Sequence, residues 1–119
     1  NEKVICVVGC GGDRDVGKRP LMAQFACQLS DQVILTSDNP RSEDPKKIIN
    51  EMKAGLNTSQ MRKVLSLEDR REAIKLGVTL CSEGDILLIA GKGHEKYQEI
   101  NGERFPFDDM AILKEHFKH

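Results

Sequence analysis

An α/β architecture is expected for this chain: a mostly parallel sheet flanked by helices, with a small antiparallel hairpin near the C-terminus. Three features point there. Short β-branched runs at Lys3 to Val8 (KVICVV), Gln32 to Thr36 (QVILT) and Asp85 to Ala90 (DILLIA) read as strands buried on both faces. Segments of helical period separate them, so successive strands are joined by crossovers and run parallel. Each of these runs leads into a charged turn dense in Gly, Pro or Asn, so polar loops gather at one edge of the sheet.

The elements follow in order. After the first strand, Lys18 to Ser30 reads as a helix: Pro20 fits its first turn, and Leu21, Phe25 and Leu29 recur at i, i+4, i+8 as its core face. The second strand, Gln32 to Thr36, runs into a loop over Ser37 to Asp44. Pro45 to Gly55 is the next helix, with Asp44 as N-cap, Pro45 at its first position, Gly55 as its end and Ile48, Ile49 and Met52 as its apolar stripe. Arg62 to Leu67 holds a third strand. Ser66-Leu67-Glu68-Asp69 resembles a capping box for a helix ending at Gly77. After the strand at Asp85 to Ala90, Tyr97 to Phe107 reads as a hairpin turning at Asn101-Gly102. Asp108 then caps a terminal helix carrying Met110, Leu113 and Phe117. Strand and helix alternate three times before the last strand, which makes the sheet Rossmann-like.

At 119 residues the chain holds one core, so residues 1–119 form a single domain, expected to be a monomer. A net charge of −1 argues against a broad basic surface for nucleic acid, and 4 % aromatics without Trp argue against base-stacking platforms. No apolar run nears the roughly 20 residues that span a bilayer, and no signal peptide is visible, so no membrane partner is expected. The chain opens on Asn1-Glu2-Lys3 without an initiator Met, which fits a fragment. The four cysteines lack the paired spacing of a zinc site. Cys6 and Cys27 fall in apolar patterns, and buried, reduced thiols imply a cytoplasmic setting.

Three loops carry the chemistry. Gly12-Asp13-Arg14-Asp15-Val16-Gly17-Lys18-Arg19 nearly matches the phosphate-binding loop G-x-x-x-x-G-K-[ST]. The last position needs a hydroxyl for Mg²⁺, which Arg19 cannot supply, and Asp13 and Asp15 would repel phosphate. The dinucleotide fingerprint fails at Arg14. What remains is a glycine-rich turn presenting Arg14. In Asp38-Asn39-Pro40-Arg41, Pro40 stiffens the loop and so fixes the direction of Arg41, whose planar guanidinium can pair with a carboxylate on both oxygens. In Gly91-Lys92-Gly93-His94-Glu95, two glycines let the backbone approach a ligand and Glu95 can hold an ammonium. His94 beside Glu95, with no second ligand at suitable spacing, makes a poor metal site. Read singly, each loop is equally an ordinary charged turn. Together, two arginines and a carboxylate at one sheet edge suit a small zwitterion.

The segments GCGGDRDVGKRPLMA, SDNPRSEDP and LLIAGKGHEKYQ, in this order, resemble the C-terminal domain of the Mur ligases of peptidoglycan synthesis, and among these the diaminopimelate-adding members. The resemblance spans essentially the whole chain. D-N-P-R is its specific part, since lysine-adding relatives usually depart from it at the Arg. The resemblance implies an ATP-dependent amide ligase of three domains, in which a missing central domain binds ATP and Mg²⁺ and phosphorylates the D-glutamate γ-carboxylate of UDP-MurNAc-L-Ala-D-Glu. The amine of meso-diaminopimelate then attacks the acyl phosphate. It further implies that Arg41 takes the distal carboxylate, that Glu95 and the Gly91 carbonyl take the distal ammonium, that Arg14 serves the other carboxylate, and that Asp38, Asn39 and Pro40 complete the recognition loop. No catalytic residue and no cofactor are expected within the fragment, which should be inactive alone. The alternative is a free-standing Rossmann-like module that binds a small molecule.

Overall fold

The computed structural model describes residues 3–10, 17–38 and 42–90 in full, and the backbone alone of 97–100 and 103–106. The chain runs β1 (Val4–Cys10), α1 (Lys18–Leu29), β2 (Gln32–Ser37), α2 (Pro45–Lys53), α3 (Thr58–Met61), β3 (Val64–Ser66), α4 (Arg70–Leu80), β4 (Ile86–Ala90), β5 (Tyr97–Ile100) and β6 (Glu103–Pro106). The first four strands form one parallel sheet in the order β3-β2-β1-β4. β5 and β6 pair antiparallel, as the hairpin pattern predicts, but as a separate two-stranded sheet. The Asn101-Gly102 turn and the expected terminal helix lie outside the described residues.

Strand alternation divides the core in two. On one face Cys6, Val8, Val33 and Leu35 pack against α1 and α2 through Ala23, Ala26, Cys27, Ile48, Ile49 and Met52. On the other, Ile5, Val7 and Ile34 meet Ala73 and Ile74 of α4. β1 and β2 are therefore apolar on both sides, which is why they read as continuous hydrophobic runs.

α2 opens as the sequence predicts but ends at Lys53, two residues before Gly55. The Asp44 side chain accepts from the Lys46 backbone N–H at 3.0 Å, Pro45 opens the helix, and Ile48, Ile49 and Met52 are buried. α1 differs. Leu21, Phe25 and Leu29, expected in the core, are 49 %, 60 % and 72 % exposed. Arg19, Ala23, Ala26 and Cys27 are buried instead. Small side chains let this helix lie close on the sheet, and ion pairing offsets the burial of Arg19. Lys63 closes the helix by donating Nζ to the Cys27 and Ser30 carbonyls at 3.1 and 3.3 Å.

α4 also departs from expectation. Its N-cap is Asp69, which accepts from the Arg71 and Glu72 N–H groups, while Ser66 ends β3. The helix continues past Gly77 to Leu80. A Cβ at Gly77 would sit 3.0 Å from Leu87 Cδ1 and 3.1 Å from Val7 Cγ2, so this glycine brings the helix close to the sheet rather than ending it. The short α3 was not expected, although it carries a capping box: the Asn57 side chain accepts from Gln60 N–H at 2.8 Å and Gln60 Oε1 accepts from Asn57 N–H at 3.0 Å.

Candidate functional site

The three candidate loops leave the same edge of the sheet. β1, β2 and β4 are neighbours and parallel, so their carboxyl ends lie together. In register, Cys10 pairs with Ser37 and Val8 with Ala90. At about 4.8 Å between strands, three adjacent ends span about 10 Å. The chain passes outward from β1 to β2 and β3, then returns to β4 on the opposite side of β1. The crevice between β1 and β4 is therefore a topological switch point, where open α/β sheets bind ligands.

The β2 end is tightly held. Ser37 Oγ donates to the Glu68 carbonyl at 2.8 Å, and Arg70 Nη1 donates to the Ser37 carbonyl at 3.1 Å. Arg70 is itself buried, at the first position of α4. A Cβ on Gly9 would meet Asp38 N, Ser37 C and Thr36 O, each at 2.9 Å, so β1 approaches the root of the Asp38 loop closely because it carries no side chain there. Asp38 follows the strand and is 5 % exposed. Its charge acts on Cys10: burial pushes that thiol up to about 11, with Arg19 opposing the rise and Asp38 adding to it.

After the loop in sequence comes an ion-pair cluster built on one buried arginine. Arg19, 1 % exposed, grips Glu43 with both terminal nitrogens: Nη2 donates to Oε1 at 2.7 Å and Nη1 to Oε2 at 3.0 Å. Nη1 also donates to Glu51 Oε2 at 3.0 Å. The hydrogen bond to Glu43 is the main reason that the guanidinium holds its proton still more firmly than usual, against the cost of burial. Lys47 Nζ lies 3.9 Å from the same Glu43. Separately, a groove of about 370 Å³ runs between α2 and the β3 end, with Lys46, Asn50 and Glu68 in its wall.

Of the residues expected to bind substrate, Asp38 is described, buried at the end of β2. Arg14, Asn39, Pro40, Arg41, Gly91 and Glu95 lie outside the described residues, although the strands that deliver them do not. Three supporting residues were missed: Arg19, Glu43 and Arg70. In the sequence Arg19 stands out only as a misfit to the phosphate-binding pattern. The signal for Glu43 was its place immediately before the N-cap of α2. Arg70 carried none.

The family model described as "Mur ligase, glutamate ligase domain" matches residues 1–93. The chain is 61 % identical over 113 residues to the UDP-N-acetylmuramoyl-L-alanyl-D-glutamate–2,6-diaminopimelate ligase of Cytophaga hutchinsonii, covering 95 % of this chain and 23 % of that protein. It is 58 % identical over 115 residues to the enzyme of the same name from Bacteroides thetaiotaomicron, covering 97 % and 24 %. A solved structure of a ligase of that name matches with a TM-score of 0.91 at 52 % identity, covering 98 % of this chain and 24 % of the other. The chain thus spans about a quarter of the length of the relatives it matches. A matching family model over most of the chain, close relatives across nearly all of it and a parallel sheet that superposes on a solved ligase agree: the chain belongs to the Mur ligase family.

Proposed function

We propose that this domain holds meso-diaminopimelate as the incoming amino acid of an ATP-dependent ligase that joins it to UDP-MurNAc-L-Ala-D-Glu. The observation that carries the reading is the shared carboxyl edge of β1, β2 and β4, whose loops bear Arg14, the Asp38-Asn39-Pro40-Arg41 run, and Gly91 with Glu95. The names of the similar enzymes support the same substrate.

In this reading Arg41 and Arg14 pair with the two carboxylates, and Glu95 with the Gly91 carbonyl takes the distal ammonium. The remaining amine is left to attack the acyl phosphate, which gives an amide and inorganic phosphate. The domain contributes binding and orientation: holding the amine in line converts a bimolecular step into an effectively unimolecular one. ATP and Mg²⁺ belong to the rest of the enzyme. Arg19, at the position where a phosphate-binding loop carries a hydroxyl for Mg²⁺, pairs instead with Glu43 and Glu51. No helix among the described residues is long and apolar enough to cross a membrane. The full enzyme is proposed to work in the cytoplasm as a monomer.

The test is phosphate release by the full-length ligase with ATP and UDP-MurNAc-L-Ala-D-Glu. Turnover should require meso-diaminopimelate, with lysine a poor substitute. Equal turnover with lysine, or none with diaminopimelate, would overturn the assignment.

A further inference from the structure

The geometry points to Arg19 and Glu43 as positioning residues for the recognition loop that carries Arg41, an inference that rests on the reading proposed above. The loop has two roots. On the strand side, Ser37 is fixed through its hydroxyl to Glu68 and through its carbonyl to the buried Arg70. On the helix side, Glu43 stands two residues after Arg41 and one before the Asp44 cap. Its carboxylate is gripped on both oxygens by a guanidinium that is 1 % exposed. Only five residues separate the two fixed points. Pinning both ends of so short a segment removes conformations that would otherwise be lost on binding, so the gain appears as affinity for the ligand.

The network also explains why an arginine occupies this position. One guanidinium serves Glu43 bidentately and Glu51 of α2 at once. An ammonium has the charge but not the fork, and holds one carboxylate at the expense of the other. Arg19 lies in the first turn of α1, the end of a helix that disfavours a cation, and the two carboxylates offset that. It thereby ties α1, α2 and the loop root into one unit. Glu51 shares the cation but not the loop, and so provides an internal control.

The experiment measures KM and kcat of the full ligase for meso-diaminopimelate and for ATP in Glu43→Gln, Arg19→Lys, Glu51→Gln and Arg41→Ala, with a thermal melt of each. Glu43→Gln and Arg19→Lys should raise KM for diaminopimelate roughly tenfold and leave KM for ATP unchanged. Glu51→Gln should lower the melting temperature comparably and change KM for diaminopimelate less than twofold. Equal effects of Glu43→Gln and Glu51→Gln, or none from Glu43→Gln, would reduce the cluster to a scaffold and overturn the inference. If Arg41→Ala raises KM while Glu43→Gln does not, only the positioning role fails. If Arg41→Ala has no effect, the binding reading fails and the inference with it. Should Glu43→Gln not fold, Glu43→Asp decides. It keeps the charge on a shorter arm and should show the same selective rise, and a wild-type KM would contradict the role.

Discussion

Arg19 stands where a phosphate-binding loop carries Ser or Thr, and its surroundings account for the exchange. Sequence spacing exposed the misfit, but not its resolution, because the partners Glu43 and Glu51 lie 24 and 32 residues away and meet it only when α1 packs beside α2. Arg70 was illegible for the same reason: it donates to a backbone carbonyl at the end of β2, and nothing in the local sequence marks a carbonyl as needing a donor. The prediction at this scale concerns that bond. Arg70→Met removes a buried donor from the Ser37 carbonyl and should cost about 1–3 kcal/mol. Urea denaturation of the domain would measure it, and an unchanged midpoint would show that the bond contributes nothing net.

Helices and strands were legible where their signals are local. The cap and opening proline of α2 sit next to each other in sequence, and the apolar runs of β1 and β2 follow from burial on both faces. α1 was misread because a stripe of large apolar residues outweighed one of small ones. Close packing on a parallel sheet selected Ala23, Ala26 and Cys27 and left Phe25 outside. Gly77 was misread as a stop because a glycine required by a neighbouring sheet looks the same in sequence as one required by a helix end. Glycine contacts also set the prediction for elements. Gly9→Ala places a Cβ 2.9 Å from three backbone atoms of β2 and its exit, none of which can swing aside as a side chain would. Overpacking of this kind typically costs about 1–3 kcal/mol. Chemical denaturation should show a loss in that range, and diaminopimelate binding should weaken with it because the Asp38 root moves. Wild-type stability would mean that the β1–β2 spacing is softer than the geometry implies.

For the molecule as a whole, the parallel sheet and the edge from which its loops emerge were legible in the order of elements, while the precise company of each loop was not. The cysteines couple the whole fold to pH. Burial raises the thiols of Cys6, Cys10, Cys27 and Cys81 above the ordinary value of 9.0, Cys10 to about 11. The fold keeps these protons while the unfolded chain loses them, so their contribution is intact below pH 9 and declines as pH rises toward 11. In reducing buffer the melting temperature should fall over that window, and Cys10→Ala should flatten the fall. An equally steep fall in Cys10→Ala would remove Cys10 as a cause. The central claim, that this edge selects a diamino dicarboxylate, rests on Arg41, because lysine differs from diaminopimelate by the one carboxylate that Arg41 would take. Loss of a charge-assisted contact typically costs about 1.5–3 kcal/mol, and more when the ligand's carboxylate is left desolvated. The most direct measurement is kcat/KM of the full ligase for diaminopimelate and for lysine, in wild type and in Arg41→Ala. The account predicts a fall of roughly tenfold or far more for diaminopimelate alone, with little rescue by Arg41→Lys; unchanged discrimination in Arg41→Ala would contradict it.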